Sequence, residues 1–349
     1  MSEQKTYTAP PAPCHQRGAD GIDVAHSPVI LKAEGLCKHF PVRNFFGRTK
    51  QVVKAVDGVD LEIHKGETFG LVGESGCGKS TLGRTLIRMY HPTAGKVVFD
   101  GADITDAKGK ALVDIHRRMQ IVFQDPYLSL DPHMNVREII AEPMCVGQRL
   151  SADEVDDRVV EILRRVSLHP DDMNKFAYEF SGGQRQRIGI ARALSVQPEF
   201  ILCDEPISAL DVSIQAQVVN MLEDLQDELG LTYLFVAHDL SMVRHISTRI
   251  GVMYLGRLVE VAPSDELYEN PLHPYTQALL SSMPIPDPNL AAQTKRVILS
   301  GELPSPLNVP EGCRFHTRCP QACERCSAAI PPLREVSPGH FVACELCGA

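Results

Sequence analysis

The chain has 349 residues, 44% of them apolar, enough to bury one large core or two modest ones. Its formal net charge of -9 argues against general nucleic-acid binding, because a phosphate-tracking surface needs a surplus of Lys and Arg; no nucleic acid is expected among its partners. The longest apolar runs, Phe200–Cys203 and Leu231–Ala237, are far shorter than the roughly 20 residues of a membrane-spanning helix.

Residues 1–28 are rich in Pro, Ala and polar residues, with neither the basic start nor the apolar run of a secretory signal, and read as a disordered tail of a cytoplasmic protein. Val29–Phe40 and Val52–Ile63 then have the β-branched, apolar character of strands, leading to a Lys65-Gly66 turn. Thr68–Val72 is a compact apolar strand, and a helix is expected beyond the next glycines through Leu82, Leu86 and Met89. From about 130 to 196 the pattern becomes helical, as in Val155, Val159, Ile162 and Leu163, which predicts a helical insertion. Phe200–Cys203 and Leu231–Ala237 are further buried strands flanking an amphipathic helix over Ile214–Leu229, and Val252–Val261, broken by Gly256-Arg257, reads as a hairpin. Alternating strands and helices predict an α/β fold with a parallel sheet covered on both faces. The main domain is expected over 29–265, and the prolines beyond about Pro263 suggest a separate small module over 266–349, tethered by an extended linker.

The run Gly73-Glu74-Ser75-Gly76-Cys77-Gly78-Lys79-Ser80, followed by Thr81, satisfies the phosphate-loop pattern and lies between a buried strand and a helix. Glycines let the backbone wrap phosphates, amides at the helix start point at the anion, Lys79 neutralises β/γ oxygens, and the Ser80 hydroxyl suits Mg²⁺. Phe200–Asp204-Glu205 is a buried strand ending in two carboxylates, as such a site requires: Asp204 to hold Mg²⁺ through water and Glu205 to polarise the attacking water. Ser181 is a good helix N-cap, and Gly182-Gly183 present amides at the start of a helix through Gln184, a second anion site.

With Gln124 in Val122-Phe-Gln-Asp-Pro126, the signature Phe180-Ser-Gly-Gly-Gln184, the Ser208–Asp211 loop and His238, the sequence over roughly residues 30–265 resembles the ATP-binding cassette (ABC) family. The resemblance implies a P-loop NTPase of the ABC type, with a RecA-like core, an antiparallel β subdomain and an α-helical subdomain. By it, Gln124 senses Mg²⁺ and the attacking water, His238 contacts the γ-phosphate, and Phe40 resembles the aromatic that stacks on adenine, although Phe45 and Phe46 lie nearby. Ser181, Gly182, Gly183, Gln184 and Asp211 would bind the ATP held by a partner subunit, so that hydrolysis requires a dimer. Phe180 replaces the more common Leu.

Beyond the cassette, Asn270–Leu279, Gly301–Pro306 and Gly312–Cys319 resemble the C-terminal extension of ATPase subunits from bacterial oligopeptide and dipeptide importers, in particular the second of their two ATPases. That resemblance implies a second, different ATPase subunit, two membrane permeases, an extracytoplasmic peptide-binding protein, and a peripheral location on the cytoplasmic face of the cell membrane. Related importers carry nickel, glutathione or other small solutes.

Six of the eleven cysteines fall in the last 37 residues, whereas Cys14, Cys37, Cys77, Cys145 and Cys203 are scattered. Spacing alone favours zinc, through Cys323-x2-Cys326 and Cys344-x2-Cys347. The family resemblance instead implies Cys313, Cys319, Cys326 and Cys344 as ligands of a 4Fe-4S cluster. Both sets stay open. His316 and His340 lie within the module, with structural roles expected for each.

Overall fold

The computed structural model describes residues 27–43, 49–146, 150–283, 299, 301–302 and 304–347. Cys14, Phe45, Phe46, nearly all of the expected N-terminal tail and much of the expected linker lie outside them.

Two sheets carry the fold. Long strands β1 (Val29–Arg43) and β2 (Thr49–His64) pair antiparallel, and β1 also pairs with β4 (Ala94–Phe99), which is followed by β5 (Ala102–Asp103), giving the order β2-β1-β4-β5. The second sheet contains β3 (Thr68–Val72), β6 (Met119–Val122), β7 (Phe200–Asp204), β8 (Thr232–Val236), β9 (Arg249–Tyr254), β10 (Arg257–Pro263), β11 (Arg334–Ser337) and β12 (His340–Val342). Their order is β11-β12-β10-β9-β3-β8-β7-β6, and the strands from β9 to β6 run parallel. Every residue of β3, β7 and β8 is buried, as a parallel sheet covered on both faces demands.

One core joins the sheets: Leu36, Val56 and Ile63 pack with Phe69, Leu71, Leu202 and Val236, together with Leu82 and Leu86 of helix α1 (Lys79–Leu86). The second core gathers the helical insertion onto the other strand residues. There α4 (Val136–Cys145) and α5 (Ala152–Arg165) are closed by capping boxes, Asn135 with Glu138 and Ser151 with Glu154, and bury Ile139, Ile140, Val155 and Val159. Helix α7 (Val212–Leu229) ends where Gly230 takes a left-handed conformation.

Two expectations differ from the structure, and one stretch had carried none. Helix α1 stops at Leu86, because Arg88 takes φ 62 and turns the chain; Met89 is outside the helix and exposed. The strands β4, β5 and β6 interrupt what had no strong pattern in the sequence. The C-terminal region is not a module held apart on a tether: β12 pairs with β10 through Glu260↔Val342 and Val261↔Phe341, and Phe315 is buried in the main core beside Tyr254 and Tyr275.

Candidate functional site

Four neighbouring parallel strands end on one edge of the sheet. Beyond β3 comes Gly73, beyond β6 Gln124, at the end of β7 Asp204 and Glu205, and beyond β8 His238. Parallel order therefore gathers residues far apart in sequence at the carboxyl ends of strands, where ligands bind in open α/β sheets.

The loop between β3 and α1 is shaped by close backbone approaches. A Cβ at Gly73 (φ 151) would lie 2.2 Å from Met253 O, and one at Gly78 (φ 110) 2.1 Å from Ala55 O. Lys79, 4% exposed, donates from Nζ to Gly73 O at 2.8 Å and Glu74 O at 3.2 Å. The cleft around the loop has a volume of about 440 Å³ and is lined by Phe40, Ser75, Gly76, Cys77, Gly78, Lys79, Ser80, Thr81, Gln124 and Glu205, and also by Pro306. Phe40 meets Tyr90 edge-on at 5.7 Å. A larger cavity of about 820 Å³ lies away from this chemistry, between β1–β2 and the C-terminal region.

Asp204 is buried, and Arg84 of α1 donates to its Oδ2 from Nε at 3.0 Å and Nη2 at 2.9 Å. Its Oδ1 is buried and has no hydrogen-bond partner among the described residues. A carboxylate oxygen left so costs free energy unless a cation or its water meets it, so the donor set fits Mg²⁺. Glu205 takes φ 50, a left-handed conformation that costs a non-glycine residue on the order of 1 kcal/mol or more and that clusters at functional sites. Its Oε2 accepts from Gln124 Nε2 at 2.9 Å, and His238 Nδ1 lies 3.6 Å from the same oxygen.

The signature lies elsewhere. Ser181 caps α6 (Gly182–Leu194): its Oγ accepts from Gln184 N–H at 3.4 Å, and Gln184 Oε1 accepts from Ser181 N–H at 3.0 Å. A Cβ at Gly183 would meet Ile214 at 2.5 Å. Ser181, Gln184 and Asp211 are exposed, and none of the signature residues lines the cleft.

The matches to known proteins follow this geometry. The ABC transporter family pattern matches residues 56–208, and the pattern of the oligopeptide/dipeptide transporter C-terminal region matches 259–326. YkfD of Bacillus subtilis (strain 168) is 59% identical over 91% of this chain and 95% of its own length. The chain belongs to the ABC transporter ATP-binding family. The oligopeptide transport ATP-binding protein AppF of the same organism is 54% identical to this ABC protein over 93% of it and 99% of AppF. Among solved structures, the dimeric post-hydrolysis state of the ATP-binding cassette MJ0796 bound to ADP and Pi superposes with TM-score 0.61 at 29% identity, covering 67% of this chain and 99% of that one. For cbiO1 from Clostridium perfringens, part of the transporter complex cbiONQ, the TM-score is 0.60 at 29% identity, with 69% and 91% covered.

The fold is thus the ABC-type P-loop ATPase fold, of mixed α/β content. Among the described residues no helix is long and apolar enough to cross a membrane.

In the C-terminal region of this ABC protein none of the six cysteines forms a disulfide among the described residues. Cys323 Sγ lies 3.4 Å from Cys326 Sγ, and Cys347 Sγ is 3.5 Å from Leu272 O. A hydrogen bond from the Cys347 thiol holds Cys344 down at about 6, while burial pushes Cys313 up to about 11. Burial raises Cys319 as well. Tetrahedral zinc, with Zn–S bonds near 2.3 Å, holds its sulfurs about 3.8 Å apart. Among the described residues only Cys37, His39 and Asp57 bring three potential ligand atoms within 4.8 Å of one another. That trio is ringed by Arg314, Arg257 and Lys54, all facing Asp57, which disfavours a cation. His316 bonds to Cys313 O and His340 to Glu260, structural contacts in both cases.

Sequence reasoning missed Arg84, Pro306 and two groups that grip the phosphate loop. Arg318 Nη1 donates to both carboxylate oxygens of Glu74, at 3.2 and 3.0 Å, and Glu74 N–H donates to Tyr275 Oη at 2.8 Å. Nothing local in the sequence signals contacts across 244 and 201 positions.

Proposed function

We propose that this chain is the ATP-hydrolysing subunit of a peptide importer, working at the cytoplasmic face of the cell membrane. The single observation that carries the reading is the meeting of Gln124, Glu205 and His238 beside the phosphate loop. In this mechanism the loop amides and Lys79 hold the phosphates, and Phe40 packs on the base. Gln124 and His238 orient the water and γ-phosphate while Glu205 takes the water's proton as it attacks phosphorus and ADP departs. Ser80, Asp204 and Gln124 would hold Mg²⁺, which would neutralise charge on the phosphate oxygens. The exposed signature and Asp211 complete the ATP site of a partner subunit, a pairing in keeping with the dimeric relative, and that partner is a second, different ATPase. The names of the relatives and the C-terminal match support peptide as cargo, which brings two permeases and an extracytoplasmic peptide-binding protein as partners.

Glu205→Gln is the test: ATP binding persists while turnover in the assembled transporter falls by about 10²–10⁴. Undiminished turnover refutes the assignment.

We further propose that Cys313, Cys319, Cys326 and Cys344 hold a 4Fe-4S cluster, with residues about 29–265 as the ATPase domain and 266–349 as the extension. This set is the one that the family resemblance implies, and zinc held by Cys323, Cys326, Cys344 and Cys347 is the alternative. Anaerobically purified protein should be brown with absorbance near 400 nm. A colourless protein with stoichiometric zinc refutes the cluster.

A further inference from the structure

The second residue of the phosphate loop is an acid. Glu74 sits where a polyphosphate must come close, and an unpaired carboxylate there repels the ligand that the loop amides attract. In this chain that acid is held by two groups from beyond the cassette. Arg318, 11% exposed, takes both carboxylate oxygens, and Tyr275, fully buried, accepts the Glu74 N–H. The Glu74 amide is therefore committed to Tyr275, and the conformation of the loop's first turn depends on where that hydroxyl sits.

Arg318 is in turn fixed by the cysteine region. It lies next to Cys319 on a run of tight turns: His316 N–H donates to Cys313 O at 3.0 Å, Arg318 N–H to Phe315 O at 2.9 Å, and Cys319 N–H to His316 O at 3.4 Å. Phe315, in the middle of the run, packs on Tyr275 at 5.4 Å and Tyr254 at 5.3 Å. The cysteine segment and the loop thus share one aromatic cluster and one ion pair. Pro306 adds a third contact, since it lines the nucleotide cleft.

We propose that Arg318 is a positioning residue for the phosphate loop, and that the cysteine region sets the ATP affinity of the site through it. The proposal rests on ATP binding in the cleft but on neither hydrolysis nor peptide transport. Its readout is therefore nucleotide affinity, which separates its failure from failure of the transport reading.

The experiment measures binding of a fluorescent ATP analogue to the full-length protein. For Arg318→Ala the expected Kd rises about ten-fold, the scale of one partly buried charge pair. Arg318→Lys recovers part of the loss. Adding Glu74→Gln to Arg318→Ala recovers affinity, because the repelling charge goes too. Cys319→Ser alone weakens binding, but in the Arg318→Ala background it adds little, since both act through the same contact. An Arg318→Ala protein that stays folded and binds within two-fold of wild type overturns the positioning role. Additive losses in the Cys319→Ser, Arg318→Ala pair overturn the link to the cysteine region. Should Arg318→Ala not fold, Arg318→Lys and Tyr275→Phe carry the same comparison, and wild-type affinity in both overturns the proposal.

Discussion

Replacing Arg314 with Met should loosen the C-terminal region from the nucleotide domain. The side chain is 5% exposed, and its guanidinium donates to Leu255 O and to Asp57 Oδ2, linking the C-terminal segment to β2 and to the turn after β9. Met keeps most of the buried length but leaves both acceptors without their donor. Asp57 retains His39 at 2.9 Å, with Lys54 and Arg257 near 4 Å, so it is not stranded. The cost should therefore sit at the lower end for breaking a buried ion pair, about 3 kcal/mol. At roughly 2 °C per kcal/mol for a chain of this size, the transition should fall by about 6 °C. Differential scanning calorimetry reads the shift, and limited proteolysis reports whether the C-terminal region opens first. In an Arg314→Met, Asp57→Asn double variant the losses should be less than additive. A transition within 1 °C of wild type, or strict additivity with Asp57→Asn, would refute the reasoning.

Gly78→Ala places a methyl 2.1 Å from Ala55 O at φ 110, so it should cost on the order of 3 kcal/mol and abolish nucleotide binding; chemical denaturation and ATP titration check both. Ser181→Ala removes the α6 cap, and should lower stability by only about 1 kcal/mol while cutting ATPase activity of the assembled dimer more than ten-fold, a disproportion that a purely structural cap would not give. His340 gives a pH signature. Burial alone would lower it, but the Glu260 hydrogen bond at 2.8 Å and Glu266 at 3.6 Å outweigh that and raise it. Its stabilising contribution is thus full below the unfolded value of about 6.5 and is lost as pH rises through the higher folded value. The stability difference between wild type and His340→Gln should therefore shrink between neutral and alkaline pH. His273, which burial lowers to about 4, acts in the opposite direction below about 6.5 and is common to both proteins, so it cancels. A difference that stays flat or grows with pH would contradict the pairing.

What could be read from the sequence was what is written contiguously. The phosphate loop, the Asp204-Glu205 strand end and the Ser181 cap are local patterns whose chemistry depends on neighbours a few positions away, and the apolar spacing of Val155, Val159 and Ile162 located α5. The strands β4 and β6 carry only a few apolar residues each, too short for any period to stand out. Nothing in the sequence singles out Arg84, and only the folded chain brings it to Asp204 across 120 positions. The prolines beyond Pro263 set that stretch apart in composition. They could not reveal that Phe341 and Val342 return to pair with β10, because strand pairing at that separation leaves no trace in composition.

That pairing has a bearing on how the chain fails. With β12 in place the sheet ends in β11, a four-residue strand carrying Arg334 and Glu335, short and charged as protective margins are. Were the C-terminal residues cut away, the margin would become Leu258-Val-Glu-Val-Ala262, with its backbone groups open to any extended chain that passed. Truncation from the C-terminus should therefore yield insoluble protein through strand addition between molecules, before any question of ATP arises.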